Sequence, residues 1–457
     1  FGTVKAVYGS KRLTTVLTNT GSAGVTISKI DITGLDAKNY AQDNDCGITL
    51  AAQASCHINV DFRPGISGSY VATLNITDSD VGSPQRVALS GTSFGYGERA
   101  SLIASAAQFE RLRAPTPAGS QMIGTRVLQS TDSTRTDPLL ADGSKRELAL
   151  RFWYPAAAAA GCRPAPYTSP AVWNYLGRLA GVKLPAIRTN SCLDAPIADG
   201  LYPIVVFSHG LTGTFTDYTY LFEDLASRGY VVAAVDHTHE ASAVELADGR
   251  IAPSQYGSHL TQIVGLDEST ARLLELARLG DIRFVVDELQ RLENQPDSPF
   301  AGHFNTTAIA VAGHSLGGLT ALQALQFDPR VRAAVVLEGV LPESTFAATD
   351  KPVLLVDAGR VQWSTGERDI WQKLRGPRLA VNLRDAGHLA PSDAVWLTRG
   401  AVKTGDLSPE RAVSAIRDYV AAFLDVHLQG RPAGQLLQQR STAYPTVEIT
   451  LQQQEAP

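Results

Sequence analysis

Residues 308–318 decide the fold, and they read Ala308-Ile309-Ala310-Val311-Ala312-Gly313-His314-Ser315-Leu316-Gly317-Gly318. An apolar run of the kind found in buried parallel strands leads directly into a Gly-x-Ser-x-Gly motif, and a helical stretch follows. The two motif glycines allow a sharp turn that lifts the serine hydroxyl above a sheet. This context of strand, turn and helix predicts that Ser315 is a catalytic nucleophile.

Apolar runs and helical stretches alternate through the chain after about residue 115. The runs are Tyr202–Phe207, Tyr230–Val235, Ala308–Ala312, Ala333–Leu337 and Val353–Val356, and the helical stretches cover about 216–228, 268–292, 316–327 and 409–428. Continuous apolar runs are typical of strands buried on both faces. Their alternation with helices predicts an α/β fold, a mostly parallel sheet with helices on both faces.

Residues 1–93 follow a different pattern, of short alternating runs separated by turn residues. Examples are His57–Phe62 and Tyr70–Leu74, with Arg63-Pro64-Gly65 between them. Several short strands at this spacing predict a small β-sandwich. We therefore expect an accessory domain at 1–93, a linker at 94–115 and a catalytic domain at 116–457, which suits a chain of 457 residues.

The charge balance limits the partners. Lys and Arg total 40 and Asp and Glu total 45, a net charge of −5, which argues against nucleic acid or an anionic membrane as the main partner. No apolar run is long enough for a transmembrane helix. Because no His, Cys and Asp cluster has ligand spacing, we expect neither a metal nor a cofactor. The expected partner is a small-molecule, lipid or polymer ester.

The four cysteines fall into two local pairs, Cys46 with Cys56 and Cys162 with Cys192. None belongs to a C-x-x-C motif, and proximity favours these pairs as disulfides, with reduced core thiols as the alternative. Disulfides would place the protein in a secreted or periplasmic location.

The oxyanion hole requires backbone N–H groups directed at the developing negative charge. One donor should be the amide of Leu316, directly after the nucleophile, and the second should come from a loop after an earlier strand. The stretch Phe207–Gly213 fits that loop, with Leu211 as the donor. We expect the His209 side chain to order the loop rather than to act as a base.

The general base should be a histidine late in the chain, and His388 fits that position. It follows the apolar run Leu379–Val381, which we expect to be the last strand of the sheet. Two carboxylates could orient it: Asp357, at the end of the run Val353–Val356, and Glu338, after the run Ala333–Leu337. Spacing alone does not decide between these two acids.

The region from about 115 to 457 resembles the lipoprotein-associated (type II) platelet-activating-factor acetylhydrolases, within a superfamily that includes dienelactone-hydrolase-like proteins. The matching pieces are Arg151–Pro155, Phe207–Leu211, Gly229–His237 continuing into Glu240–Ala243, Gly313–Gly318 and Gly387-His388. The resemblance implies an α/β-hydrolase fold and calcium-independent hydrolysis of short acyl esters. It favours Glu338 as the acid, although this family usually has Asp there. Dienelactone hydrolases proper use Cys, and Ser315 argues against their chemistry.

Residues 1–93 resemble a choice-of-anchor D, or Hydin-type, immunoglobulin-like repeat. The resemblance rests on Asn19-Thr20-Gly21, the segment from Leu50 to Cys56, Phe62-Arg63-Pro64 and Leu89–Thr92. It implies an extracytoplasmic accessory module without chemistry of its own. A cell-envelope or polymer surface is a candidate partner for this domain.

These observations predict a secreted serine carboxylic-ester hydrolase, an esterase or lipase, that uses Ser315, His388 and Glu338 on short-to-medium acyl esters. We expect a cap-like insert at 156–200, pinned by the pair Cys162 and Cys192, to contribute apolar surface to the acyl pocket. Two alternatives stay open. One is a polyester hydrolase that attaches through the β domain, and the other is an adhesion or envelope-binding protein with an inactive hydrolase domain.

Overall fold

The computed structural model describes residues 1–5, 11–34, 36–64, 68–94, 112–157, 161–181, 183–257, 266–339, 346–359, 363, 365–398 and 405–451. It divides into two compact units, one of residues 1–99 and 261–272 and one of residues 100–260 and 273–457. Most of the predicted linker, 95–111, lies outside the described residues.

The described residues of the smaller unit up to residue 94 form mainly β-strands, as predicted. In chain order its strands are Thr3–Lys5 (β1), Lys11–Thr18 (β2), Val25–Thr33 (β3), Tyr40–Asn44 (β4), Thr49–Leu50 (β5), Ser55–Phe62 (β6), Gly68–Asp78 (β7) and Gln85–Phe94 (β8). They form one sheet in the order β1-β8-β7-β3-β5 and another in the order β2-β6-β4. Alternate residues of β6, among them Ile58, Val60 and Phe62, join apolar residues of β7 in one buried cluster. Its identity as an immunoglobulin-like module stays a prediction.

The larger unit contains one extended sheet and the helices that cover it. Its strands are Leu112–Arg113 (β9), Met122–Thr136 (β10), Lys145–Ala156 (β11), Pro164–Pro166 (β12), Ile187–Leu193 (β13), Tyr202–Ser208 (β14), Val231–Asp236 (β15), Ala243–Glu245 (β16), Ile251–Pro253 (β17), Phe304–His314 (β18), Val331–Leu337 (β19), Val353–Ala358 (β20), Arg378–Leu383 (β21) and Val447–Leu451 (β22). The helices are Pro170–Ala180 (α1), Thr219–Ser227 (α2), Glu268–Asn294 (α3), Leu316–Phe327 (α4), Thr365–Lys373 (α5), Ala394–Leu397 (α6) and Pro409–Gln429 (α7).

The sheet has the order β12-β13-β10-β11-β15-β14-β18-β19-β20-β21-β22, and β9 pairs with β13. The six strands β15-β14-β18-β19-β20-β21 run parallel to one another, which confirms the predicted α/β fold. Strands β16 and β17 form a separate two-stranded antiparallel sheet. In β14, Val205 and Phe207 join the apolar cluster on one face, whereas Ile204 and Val206 join the cluster on the other. This burial on both faces explains the continuous apolar runs. The expectation that 379–381 is the last strand was wrong, because antiparallel β22 lies beyond it.

The predicted insert at 156–200 includes both sheet and helix. Strands β12 and β13 extend the sheet edge, whereas α1 packs through Val172 and Leu176 against Ala243 of β16. The Ser169 side chain caps the start of α1 by accepting a hydrogen bond from the Val172 amide. None of the described helices is long and apolar enough to cross a membrane.

Both predicted cysteine pairs are disulfides in the structure. The Cα atoms of Cys46 and Cys56 are 5.0 Å apart, and those of Cys162 and Cys192 are 5.3 Å apart. The second bond ties the start of the insert to β13, whose residue Cys192 pairs with Gly124 of β10.

Removing the second disulfide should destabilise the larger unit. The Cys162→Ser/Cys192→Ser variant opens a link between residues 30 positions apart, and we expect the free energy of unfolding to fall by about 3 kcal/mol through greater disorder of the unfolded chain. Urea denaturation followed by tryptophan fluorescence measures this change. An unchanged denaturation midpoint would contradict the expectation.

Candidate active site

Ser315 occupies the turn between β18 and α4 with a backbone conformation of φ 56° and ψ −118°. Non-glycine residues rarely adopt positive φ, and such strain is common at functional positions. The turn is held by the Ser315 amide, which donates to the Leu337 carbonyl at the end of β19 over 3.0 Å. The serine therefore lies where the carboxyl ends of two neighbouring strands meet the first turn of a helix.

The motif glycines are required because the backbone passes very close to them. A Cβ atom on Gly317 would lie 2.0 Å from the Ser208 carbonyl oxygen, and one on Gly313 would lie 2.1 Å from the Gly317 carbonyl oxygen. No side chain fits at either distance. The absence of Cβ atoms lets the end of β14, and the loop that follows it, lie directly against Ser315.

Two backbone amides near Ser315 are available as donors. Leu211 and Leu316 are buried, 8% and 0% exposed, and within the described part of the chain neither amide has a hydrogen-bond partner. Buried N–H groups are nearly always paired in folded proteins, so two unpaired ones beside a strained serine point to a ligand atom as their partner. These are the two amides that the sequence predicts for the oxyanion hole.

The loop that carries Leu211 is ordered by His209. Its Nδ1 donates to the Gly210 carbonyl over 2.6 Å, and its Nε2 accepts from the His237 amide over 3.1 Å. The His237 amide can only donate, so the proton of the neutral ring resides on Nδ1. With both ring nitrogens engaged and the side chain buried, His209 has the loop-ordering environment that the sequence suggests.

The structure brings Glu338 to His388. His388 Nδ1 and Glu338 Oε1 are 3.7 Å apart, and both side chains are 11% exposed. The other oxygen, Glu338 Oε2, accepts from the Ala358 amide over 2.6 Å, which anchors the carboxylate. Asp357 has a different partner, since its Oδ2 accepts from Trp363 Nε1 over 2.8 Å. Glu338 is thus within ion-pair distance of His388, although 3.7 Å is longer than a hydrogen bond, and its role as the acid stays a prediction.

Ser315 and His388 are not joined by a hydrogen bond in the structure. Among the described residues the Ser315 hydroxyl has no hydrogen-bond partner. The His388 ring instead packs on the ring of His314, the residue before the nucleophile, with centroids 4.7 Å apart. Catalytic hydrogen bonds are often long before substrate binds, so this arrangement is compatible with a serine and its base.

Sequence reasoning missed a hydrogen-bonded chain through His314. The Gly210 amide donates to the Tyr218 hydroxyl (3.0 Å), the hydroxyl donates to His314 Nδ1 (2.9 Å), and His314 Nε2 donates to the His388 carbonyl (2.8 Å). Burial lowers the pKa of His314 to about 3, so its ring stays neutral. This series of hydrogen bonds connects the Leu211 loop to the backbone of His388.

A second Ser, His and Asp set lies beneath the loop. Ser208 Oγ is 2.8 Å from His237 Nε2, and His237 Nδ1 is 2.9 Å from Asp281 Oδ2. All three residues are completely buried, so no substrate can reach them, and the set is structural. Burial, reinforced by the charge of Arg278, lowers the pKa of His237, which keeps that ring neutral.

The described residues offer few possible ligands for a metal ion. Among the described residues, the one group of His, Cys, Asp or Glu with suitable spacing is Asp45, Cys46 and Cys56. Its two sulfur atoms form a disulfide and are not available as thiolate ligands.

Comparisons with known proteins agree with this fold. Residues 205–451, more than half of the chain, match the alpha/beta hydrolase family, and residues 106–255 match platelet-activating factor acetylhydrolase, isoform II. The chain therefore belongs to the α/β hydrolase family. The first match includes Ser315, Glu338 and His388, and both matches include the loop at 209–213.

Individual relatives are named as ester-cleaving enzymes. Platelet-activating factor acetylhydrolase of Canis lupus familiaris is 26% identical over 55% of this chain and 63% of its own length. The corresponding protein of Cavia porcellus is 29% identical over 56% and 64%. The structure of a ferulic acid esterase from Streptomyces cinnamoneus is 32% identical, with a TM-score of 0.63, over 74% of this chain and 99% of that chain. The chain thus spans less than two thirds of the two acetylhydrolases.

The buried His314 should make stability fall in acid. The unfolded chain protonates this histidine near pH 6.5, whereas the folded chain keeps it neutral down to about pH 3. Between pH 7 and pH 5 this difference should lower the free energy of unfolding by about 2 kcal/mol. In urea denaturation, His314→Gln should lose less free energy of unfolding between pH 7 and pH 5 than the unmodified chain does, and the difference should be that amount.

The matched control is His303→Gln, at a surface ring that contacts the Gly200 carbonyl, and it should lose stability in acid as the unmodified chain does. Equal acid sensitivity of His314→Gln and the unmodified chain would contradict the role of His314.

Proposed function

We propose that this chain is a secreted serine carboxylic-ester hydrolase of short-to-medium acyl esters. The observation that carries the proposal is the pair of unpartnered buried amides, Leu211 and Leu316, beside the strained Ser315. The similarity to an acetylhydrolase and to an esterase supports the same chemistry. The two disulfides support the secreted location, because such bonds persist in oxidising compartments.

In this proposal Ser315 Oγ attacks the ester carbonyl carbon while His388 Nε2 takes the hydroxyl proton. The carbonyl oxygen becomes an oxyanion and accepts hydrogen bonds from the Leu211 and Leu316 amides. Glu338 holds the His388 ring in place and stabilises its positive charge. His388 then gives the proton to the departing alcohol, which leaves an acyl group on Ser315. Water activated by His388 releases the acid and restores the serine.

Esters of aromatic acids such as ferulic acid are a second candidate substrate class. The ferulic acid esterase is matched over almost its whole length and at higher identity than the acetylhydrolases of dog and guinea pig. The same catalytic residues would act on both classes of ester, so the choice between the two substrate classes depends on the acyl pocket.

Steady-state hydrolysis of p-nitrophenyl acetate, butyrate, octanoate and palmitate, with methyl ferulate alongside, tests the proposal. We expect the highest kcat/KM on acetate or butyrate, and Ser315→Ala should reduce it by at least about 1,000-fold. A preference for methyl ferulate would favour the aromatic class. Activity that survives in Ser315→Ala, or folded protein that cleaves none of these esters, would overturn the proposed function.

The two acids can be separated by paired amide substitutions. Glu338→Gln removes the charge that supports His388, and we expect kcat to fall by about 1,000-fold or more. The matched control is Asp357→Asn, which keeps an oxygen for Trp363 Nε1 and should leave kcat within about threefold. The reverse outcome in p-nitrophenyl butyrate assays would assign the acid to Asp357.

A further inference from the structure

One buried cation contacts the loop that carries Leu211. The Arg278 side chain, from α3, is fully buried and forms an ion pair with the buried carboxylate of Glu240. Its Nε donates to both Glu240 oxygens, at 2.8 and 3.0 Å. This pairing fixes the plane of the guanidinium and balances its charge inside the protein.

The remaining N–H groups of Arg278 point to the loop. One terminal nitrogen donates to Ser208 Oγ at 3.0 Å and to the His209 carbonyl at 2.5 Å, and the other lies 3.4 Å from the Gly210 carbonyl. The Gly210 carbonyl also accepts from His209 Nδ1 at 2.6 Å and from the Gly213 amide at 2.9 Å. Three donors therefore converge on one carbonyl oxygen.

The orientation of that carbonyl determines where the Leu211 amide points. The Gly210 carbonyl and the Leu211 N–H belong to one planar trans peptide, so they face in opposite directions. Donors that fix the Gly210 carbonyl oxygen on one side of the peptide therefore also fix the Leu211 N–H on the opposite side. The peptide also lies against the nucleophile, because a Cβ atom on Gly210 would be 3.4 Å from Ser315 Cβ.

We propose that Arg278 is a positioning residue for the oxyanion hole. Held by Glu240, its guanidinium fixes the peptides after His209 and Gly210 so that the Leu211 N–H is presented to the reacting carbonyl oxygen. Its positive charge also polarises both peptides, which strengthens the N–H as a donor in a buried site. This inference rests on the proposed esterase function and deepens it: Arg278 acts through the loop peptides rather than on the reacting atoms.

The test compares catalysis with binding of a tetrahedral analogue in the full chain. Arg278→Lys keeps a charge for Glu240 but lacks the planar fork that spans both carbonyls. We expect kcat for p-nitrophenyl butyrate to fall by about 10- to 100-fold while KM changes by less than about threefold. A trifluoromethyl ketone forms a hemiketal when Ser315 Oγ adds to its carbonyl carbon, and the former carbonyl oxygen becomes an oxyanion. The affinity for this ketone should fall by the same factor as kcat/KM.

Two further variants keep the test decisive. If Arg278→Lys does not fold, Arg278→Met/Glu240→Leu removes both charges together and leaves neither buried alone, and the same losses are expected. The matched control is Arg417→Lys, at a buried arginine that donates to the carbonyls of Pro115, Thr116 and Tyr220. It should leave kcat and the ketone affinity unchanged.

The outcomes separate this proposal from the function on which it rests. Unchanged kcat in the folded Arg278 variants, a fall in kcat without a fall in ketone affinity, or an equal loss in Arg417→Lys would each overturn the role of Arg278 alone. An unmodified chain that hydrolyses no ester and binds no ketone would overturn the esterase function and this inference together.

Discussion

The contact between the Ser208 carbonyl and Gly317 is the constraint on which the rest of the site depends. A Cβ atom at Gly317 would be 2.0 Å from that oxygen, so the first turn of α4 can approach the end of β14 only without a side chain. This approach places the Leu211 loop, the strained Ser315 and the first amides of α4 within one small region. The site is built largely from backbone groups that the sheet and the helix hold in place.

The polar residues around this region keep the backbone rigid. Below the loop lie the ion pair of Arg278 with Glu240 and the buried set of Ser208, His237 and Asp281. Beside it lies the chain from Tyr218 through His314 to the His388 carbonyl. Every one of these side chains is paired, as buried polar groups must be if they are to rigidify a structure rather than destabilise it. Such a framework provides the preorganised donors that transition-state stabilisation requires.

The sequence predicted the fold and the sharp turn at Ser315 because both leave local signals. Continuous apolar runs mark the parallel strands, and the glycines of Gly313 to Gly317 mark the turn. Antiparallel β22 was missed because two of its five residues, Glu448 and Thr450, are polar and the strand lies after a long polar stretch. Spacing could not choose between Glu338 and Asp357, since these two carboxylates lie at the ends of the neighbouring strands β19 and β20, and either position is compatible with His388. The roles of His314, Tyr218 and Arg278 depend on contacts between distant segments, which a single sequence does not reveal.

The proposed mechanism requires that Ser315, rather than any other serine, is the activated nucleophile. Treatment of the folded protein with a fluorophosphonate, followed by intact mass measurement and peptide mapping, tests it directly. We expect a single adduct on Ser315, formed more slowly in the presence of p-nitrophenyl butyrate and absent from Ser315→Ala. No adduct, or an adduct on another serine such as the buried Ser208, would contradict it.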